Sequence, residues 1–179
     1  MKALILIGYM CVGKTTIGRE VARRTGRRFY DLDWYIEERF HKRIPQIFAD
    51  DGEERFRDME RRMLHEVAEF EDVVISCGGG TPCFFDNADY MNAVAETVYL
   101  KATPETILAH LKLAKGRRPL LEGKTPDELA AYVAAQLAER EPFYACARHT
   151  VPVEVLRDTT KVAEVASAVV AAERGGFFE

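Results

Sequence analysis

The sequence predicts an α/β fold: a parallel sheet covered by helices on both faces. Short apolar runs alternate with longer amphipathic ones along the chain, five of the short runs read as strands, and a glycine-rich turn joins the first run to the first helical stretch. The 179 residues fit one domain over 1–179, long enough for a single well-buried core.

ALILI is continuously apolar, as a strand buried on both faces requires. A helix follows from about Lys14 to Thr25, with Gly26 as its C-terminal cap because glycine tolerates the left-handed conformation. RRFYDLD reads as the second strand, extended through Asp33, and helical stretches run from Trp34 to about Phe70. VVISC, TVYLKA and TVPVEVL supply three more strands. Between them lie a polar helical segment from about Asp86, a helix from about Pro104, a basic loop KGRRPLLEGK, and a long helix from Pro126. Thr125, Pro126 and Glu128 form a capping box that fixes the start of that long helix, and a last helix reaches about Glu173.

A formal net charge of −4 argues against nucleic-acid binding by phosphate neutralisation. No segment is long enough to span a bilayer, and the start of the chain lacks the apolar length and cleavage site of a signal peptide. Cys11, Cys77, Cys83 and Cys146 form no C-x-x-C pair, so reduced thiols and a cytoplasmic location are expected. With no heptad pattern, a monomer is the default.

The chemistry starts at Gly8-x-x-x-x-Gly13-Lys14-Thr15, a Walker A pattern between a strand and a helix. Its glycines let backbone amides close on phosphates, the helix N-terminus adds partial positive charge, and Lys14 adds a full one. Thr15 is suited to ligate Mg²⁺ through its hydroxyl. A nucleoside triphosphate is therefore expected here. At the ends of the other strands stand Asp31 and Asp33 in D-L-D and the triplet Gly78, Gly79, Gly80, where ligands of open α/β sheets bind. One aspartate can serve the metal shell while the other accepts a hydroxyl proton; a helix cap beside a solvated carboxylate is the plain alternative. Arg57 and Arg140, read alone, are surface or helix-end charges, whereas Arg117 and Arg118 in a loop with proline and glycines suggest a lid that closes over phosphates.

Taken together and in order, GYMCVGKTT, DLD, Phe56-Arg57, CGGG, RRPLL and REPFY resemble the shikimate kinase family from Leu4 to about Val155. The resemblance implies a three-layer P-loop kinase fold like that of nucleoside-monophosphate kinases, with a five-stranded parallel sheet, a substrate-binding region near 33–61 and a lid near 112–125. It implies ATP-dependent phosphorylation of the 3-hydroxyl of shikimate, a step of chorismate and aromatic amino-acid biosynthesis, with Mg²⁺. By resemblance the nucleotide lies on Gly8, Cys11, Val12, Gly13, Lys14, Thr15, Thr16 and the lid arginine Arg118, and the metal on Thr15 and Asp31. Shikimate lies on Asp33, Arg57, Gly78, Gly79, Gly80 and Arg140. Asp33 is the implied base, with Lys14 and Arg118 stabilising the transferring phosphoryl group.

Two departures stand out. The family's loop has glycine where this chain has Cys11, which implies strain if that position needs positive φ. The adenine-facing arginine before the lid is absent from LAHLKLAK, and His110 or Lys112 is the expected substitute. Cys11 and Cys77 follow neighbouring elements and are expected close together as unbridged thiols. The residues also leave open a gluconate-kinase-like activity or a nucleotide-binding module without catalysis; a GTP-dependent switch is disfavoured because no N-K-x-D segment is present.

Overall fold

The computed structural model describes residues 2–113, 123 and 125–175. Its elements are β1 (Leu4–Ile7), α1 (Lys14–Thr25), β2 (Arg28–Asp31), α2 (Leu32–Phe40), α3 (Ile44–Ala68), β3 (Val73–Ser76), a 3₁₀ turn (Thr81–Cys83), α4 (Asn87–Val94), β4 (Glu96–Lys101), α5 (Pro104–Leu113), α6 (Pro126–Tyr144), β5 (His149–Pro152) and α7 (Thr159–Glu173). The strands form one five-stranded parallel sheet in the order β2-β3-β1-β4-β5. The chain moves to opposite sides of β1 to make β3 and β4, so a crevice opens at the carboxyl end of β1, where such sheets bind ligands.

Apolar side chains on both faces of the central strands explain the burial: Leu4, Ile5, Leu6, Val73, Val74, Ile75, Val98 and Leu100 are fully buried. Gly18 lets α1 approach the sheet, since a Cβ there would lie 2.6 Å from Phe29 and 3.3 Å from Leu6. The expected caps are present. Gly26 ends α1 at φ 72°, and Thr125 and Glu128 cap each other's backbone at the start of α6.

Three boundaries differ from the sequence reading. β2 stops at Asp31 and α2 begins at Leu32, because Asp31 is the N-cap and its carboxylate accepts from the Asp33 amide at 3.2 Å. The D-L-D segment is therefore not extended. Gly52, at φ 79° and ψ 171°, breaks α3 into two helical pieces. β5 ends at Pro152, and residues 153–158 run on as a loop beside the phosphate-binding turn. Most of the expected lid, with Arg117 and Arg118, lies outside the described residues.

Candidate active site

The turn after β1 is built for glycine at two points. A Cβ on Gly8 (φ 140°) would lie 2.7 Å from the Leu100 carbonyl oxygen, and one on Gly13 (φ 100°) 2.5 Å from the Leu156 side chain. Gly13 is the N-cap of α1 and offers no side-chain cap, so the first-turn amides of α1 face the turn with no side-chain acceptor. Cys11 takes φ 62° without being glycine, a strain of roughly 1–3 kcal/mol. Val12 is fully buried, so its expected nucleotide contact reduces to its backbone.

Lys14 is buried, and its Nζ donates to the carbonyls of Gly8 and Tyr9, both at 2.8 Å. Burial lowers its pKa to about 8, against the opposing pull of Asp33 and other acidic groups. The Thr15 hydroxyl donates to Asp31 Oδ2 at 2.7 Å, which brings together the two oxygens expected to serve a metal. Among the described residues no cluster of three His, Cys, Asp or Glu could hold a metal ion. One hydroxyl and one carboxylate suit Mg²⁺, which keeps waters and binds substrate phosphates rather than filling an all-protein cage. Asp33 lies one residue into α2; burial, then Asp31 and Glu60, push its pKa up to about 6.

A single cleft of about 370 Å³ is lined by Cys11, Gly13, Lys14, Thr15 and Thr16 from the turn, and by Asp31, Asp33, Gly78 and Gly79. Each glycine of the triplet after β3 meets a different group. A Cβ on Gly78 would lie 3.0 Å from Asp33 Oδ1 and 3.1 Å from Glu60 Oε1. On Gly79 it would lie 3.2 Å from the Met10 amide nitrogen and 3.7 Å from Arg140, and on Gly80 3.0 Å from Arg57. Successive glycines of the triplet thus lie against Asp33, against the phosphate-binding turn with Arg140, and against Arg57, and a side chain at any of them would crowd those groups.

The guanidinium of Arg57 stacks over Phe84 at 3.9 Å and donates to Glu60 Oε2 at 2.8 Å. Arg140 is held by Gln136 at 3.0 Å and lies over Tyr9. Arg57 and Arg140 thus lie against neighbouring glycines of the triplet, and a pair of guanidinium groups is chemically suited to receive a carboxylate.

Two contributors, Glu60 and Tyr144, went unnamed in the sequence reading, and a third, His110, makes other contacts than expected. Glu60, almost fully buried, accepts from both Arg57 and the Thr81 hydroxyl, the latter at 2.6 Å. Its only signal was the i,i+3 spacing from Arg57, which a surface ion pair shares. Tyr144, inside REPFY, donates to the Gly79 carbonyl at 2.6 Å. His110 does not offer a free edge to adenine as expected: Nδ1 lies 2.9 Å from the Cys11 carbonyl oxygen, and Nε2 accepts from the Leu156 amide at 2.8 Å. Lys112 is exposed on α5. Cys77 and Cys11 share the cleft as expected, and Cys77 forms no disulfide.

A shikimate kinase family model matches residues 10–172. The shikimate kinase of Parabacteroides distasonis is 52% identical over 94% of this chain and 98% of its own. Among solved structures, shikimate kinase from Bacteroides thetaiotaomicron has a TM-score of 0.93 at 44% identity, covering 97% of this chain and 98% of that one. Shikimate kinase from Acinetobacter baumannii in complex with shikimate has a TM-score of 0.83 at 28% identity, covering 98% and 94%.

Proposed function

The chain belongs to the shikimate kinase family, and we propose from that premise how its own residues carry the reaction. The protein is a phosphotransferase that phosphorylates shikimate with ATP. We assign the carboxylate of shikimate to Arg57 and Arg140 and its hydroxyls to Asp33 and the backbone of Gly78, Gly79 and Gly80. The observation that supports this assignment is the triplet itself, whose successive glycines lie against Asp33, Arg140 and Arg57 in turn, beside the phosphate-binding turn.

Asp33 takes the proton of the 3-hydroxyl as that oxygen forms its bond to the γ-phosphorus and ADP leaves. A pKa near 6 suits this role, because the carboxylate is largely ionised at neutral pH yet still basic. Lys14 leaves the Gly8 and Tyr9 carbonyls to meet the phosphates, supported by Gly8, Cys11, Val12, Gly13, Thr15 and Thr16. Thr15 and Asp31 are the side chains that would hold Mg²⁺, which when bound neutralises phosphate charge. The lid near 112–125, with Arg118, completes a single domain whose substrate-binding region spans about 33–61. No helix among the described residues is long and apolar enough to cross a membrane. The negative net charge supports the absence of nucleic-acid binding, the cysteine pattern supports a cytoplasmic location, and a monomer is the default.

The test is Asp33→Asn. Turnover of shikimate falls by about 10²-fold or more while ATP affinity stays within a few-fold; an equal loss of both would remove Asp33 from the role of base. Gluconate run in parallel reports acceptor choice, and turnover that prefers gluconate would overturn the carboxylate and hydroxyl assignments made for shikimate.

A further inference from the structure

His110 is the feature that the reaction as described leaves unused. It sits on α5 just before the lid segment, almost fully buried, with both ring nitrogens engaged. The partners fix the tautomer. A carbonyl oxygen only accepts, so Nδ1 carries the proton toward Cys11; an amide N–H only donates, so Nε2 is bare toward Leu156. Burial lowers the pKa of the ring, outweighing the Cys11 carbonyl, which favours the charged form.

The carbonyl held by His110 belongs to the strained residue of the turn. In one planar trans peptide the carbonyl of Cys11 and the amide of Val12 point in opposite directions. Holding the carbonyl on His110 therefore turns the Val12 N–H inward, toward the Tyr9 carbonyl that also receives Lys14. Leu156, bound to the other side of the ring, covers Gly13 with its side chain. The turn is thus gripped at Cys11 and at Gly13 by one connected pair of residues.

We propose that His110 is a positioning residue for ATP: its neutral ring holds the Cys11 peptide in the left-handed conformation that glycine would adopt unaided, and keeps the phosphate-binding amides aimed inward. This rests on the reading of that turn as the ATP site. If that reading fails, the unmodified protein shows no saturation by ATP; if only the proposal fails, it saturates normally and the variants below do not separate.

The experiment measures KM for ATP and for shikimate in His110→Ala, with and without Cys11→Gly. His110→Ala raises KM for ATP by about ten-fold, the scale of one lost buried hydrogen bond, with KM for shikimate little changed. Relative to Cys11→Gly alone, adding His110→Ala raises KM for ATP by less than about three-fold, because glycine needs no brace at φ 62°. Equal penalties in the two backgrounds, or no change in KM for ATP, overturn the proposal. A general packing defect would lower the folded fraction without this rescue. His110→Asn keeps a donor for the Cys11 carbonyl and shows a smaller rise in KM than His110→Ala; an equal rise counts against the proposal. Nitrogen-15 NMR of the unmodified protein at pH 7 shows His110 as the neutral Nδ1–H tautomer, and an imidazolium or Nε2–H form there overturns it without any variant.

Discussion

Glu60→Gln tests whether the acid limb of activity belongs to Asp33. Asp33 Oδ1 and Glu60 Oε1 both lie about 3 Å from the same point over Gly78, so they are no more than about 6 Å apart. Two unit charges at 6 Å in an effective dielectric of about 20 repel by roughly 2.8 kcal/mol, or about two pKa units. The whole shift of Asp33, from an ordinary 3.8 to about 6, is only about two units and Glu60 is its third cause, so about one unit is the working figure. Burial and Asp31 act on Asp33 more strongly than Glu60 does and remain in the variant. The pKa of Asp33 is raised, so it is protonated and idle below about 6, and activity rises with pH through that value. In Glu60→Gln the limb moves toward about 5, and the ratio of kcat/KM at pH 5 to that at pH 7 climbs from about 0.1 to about 0.5. The assay is direct quantification of ADP across pH 4.5–9 (about) at low shikimate, since kcat/KM reports the free enzyme. Arg57 loses its buried partner, so overall activity falls; the ratio is independent of that loss. Glu53→Gln removes the exposed partner of Arg57 and leaves the limb in place. A limb that stays put in Glu60→Gln would refute the assignment of Asp33 or its coupling to Glu60.

Tyr144→Phe deletes the hydroxyl bound to the Gly79 carbonyl while keeping the ring; KM for shikimate rises about five-fold in steady-state kinetics with KM for ATP unmoved. Equal shifts in both constants would place Tyr144 in general packing instead. Gly18→Ala pushes a methyl against Phe29 and Leu6 and lowers stability by about 1–3 kcal/mol in urea denaturation. An unchanged midpoint would mean that α1 is not seated on the sheet as closely as described.

Where local chemistry decides structure, the sequence was legible. Gly8, Gly13 and Lys14 are set by the spacing of one turn, and Gly26 and Thr125 cap their helices with groups two to four residues away. The end of β2 was misread because two local rules compete at Asp31. Alternation of apolar residues favours extending the strand, but the carboxylate captures the following amides and starts α2. Glu60 and the partners of His110 were hidden for a different reason. An i,i+3 pair of Arg57 and Glu60 looks the same on a solvated helix as on a buried one, and only the arrival of Gly78 and Thr81 from β3 makes it interior. His110 bonds to Cys11 and Leu156, 99 and 46 residues away, and no spacing rule reaches that far.

The two aspartates of D-L-D show why proximity in sequence does not mean a shared role. Both oxygens of Asp31 are engaged: Oδ2 accepts from Thr15, and Oδ1 from the Asp33 and Trp34 amides. Those contacts order the turn into α2 and fix Asp31 against the hydroxyl expected on the metal side. Asp33 accepts no hydrogen bond among the described residues, and burial together with two neighbouring carboxylates destabilises its anion. An ionised group with uncommitted lone pairs and an elevated pKa is the one that gains most by taking a proton. On the proposed roles, the same helix start that breaks the extended D-L-D fixes one carboxylate for binding and leaves the next free for chemistry.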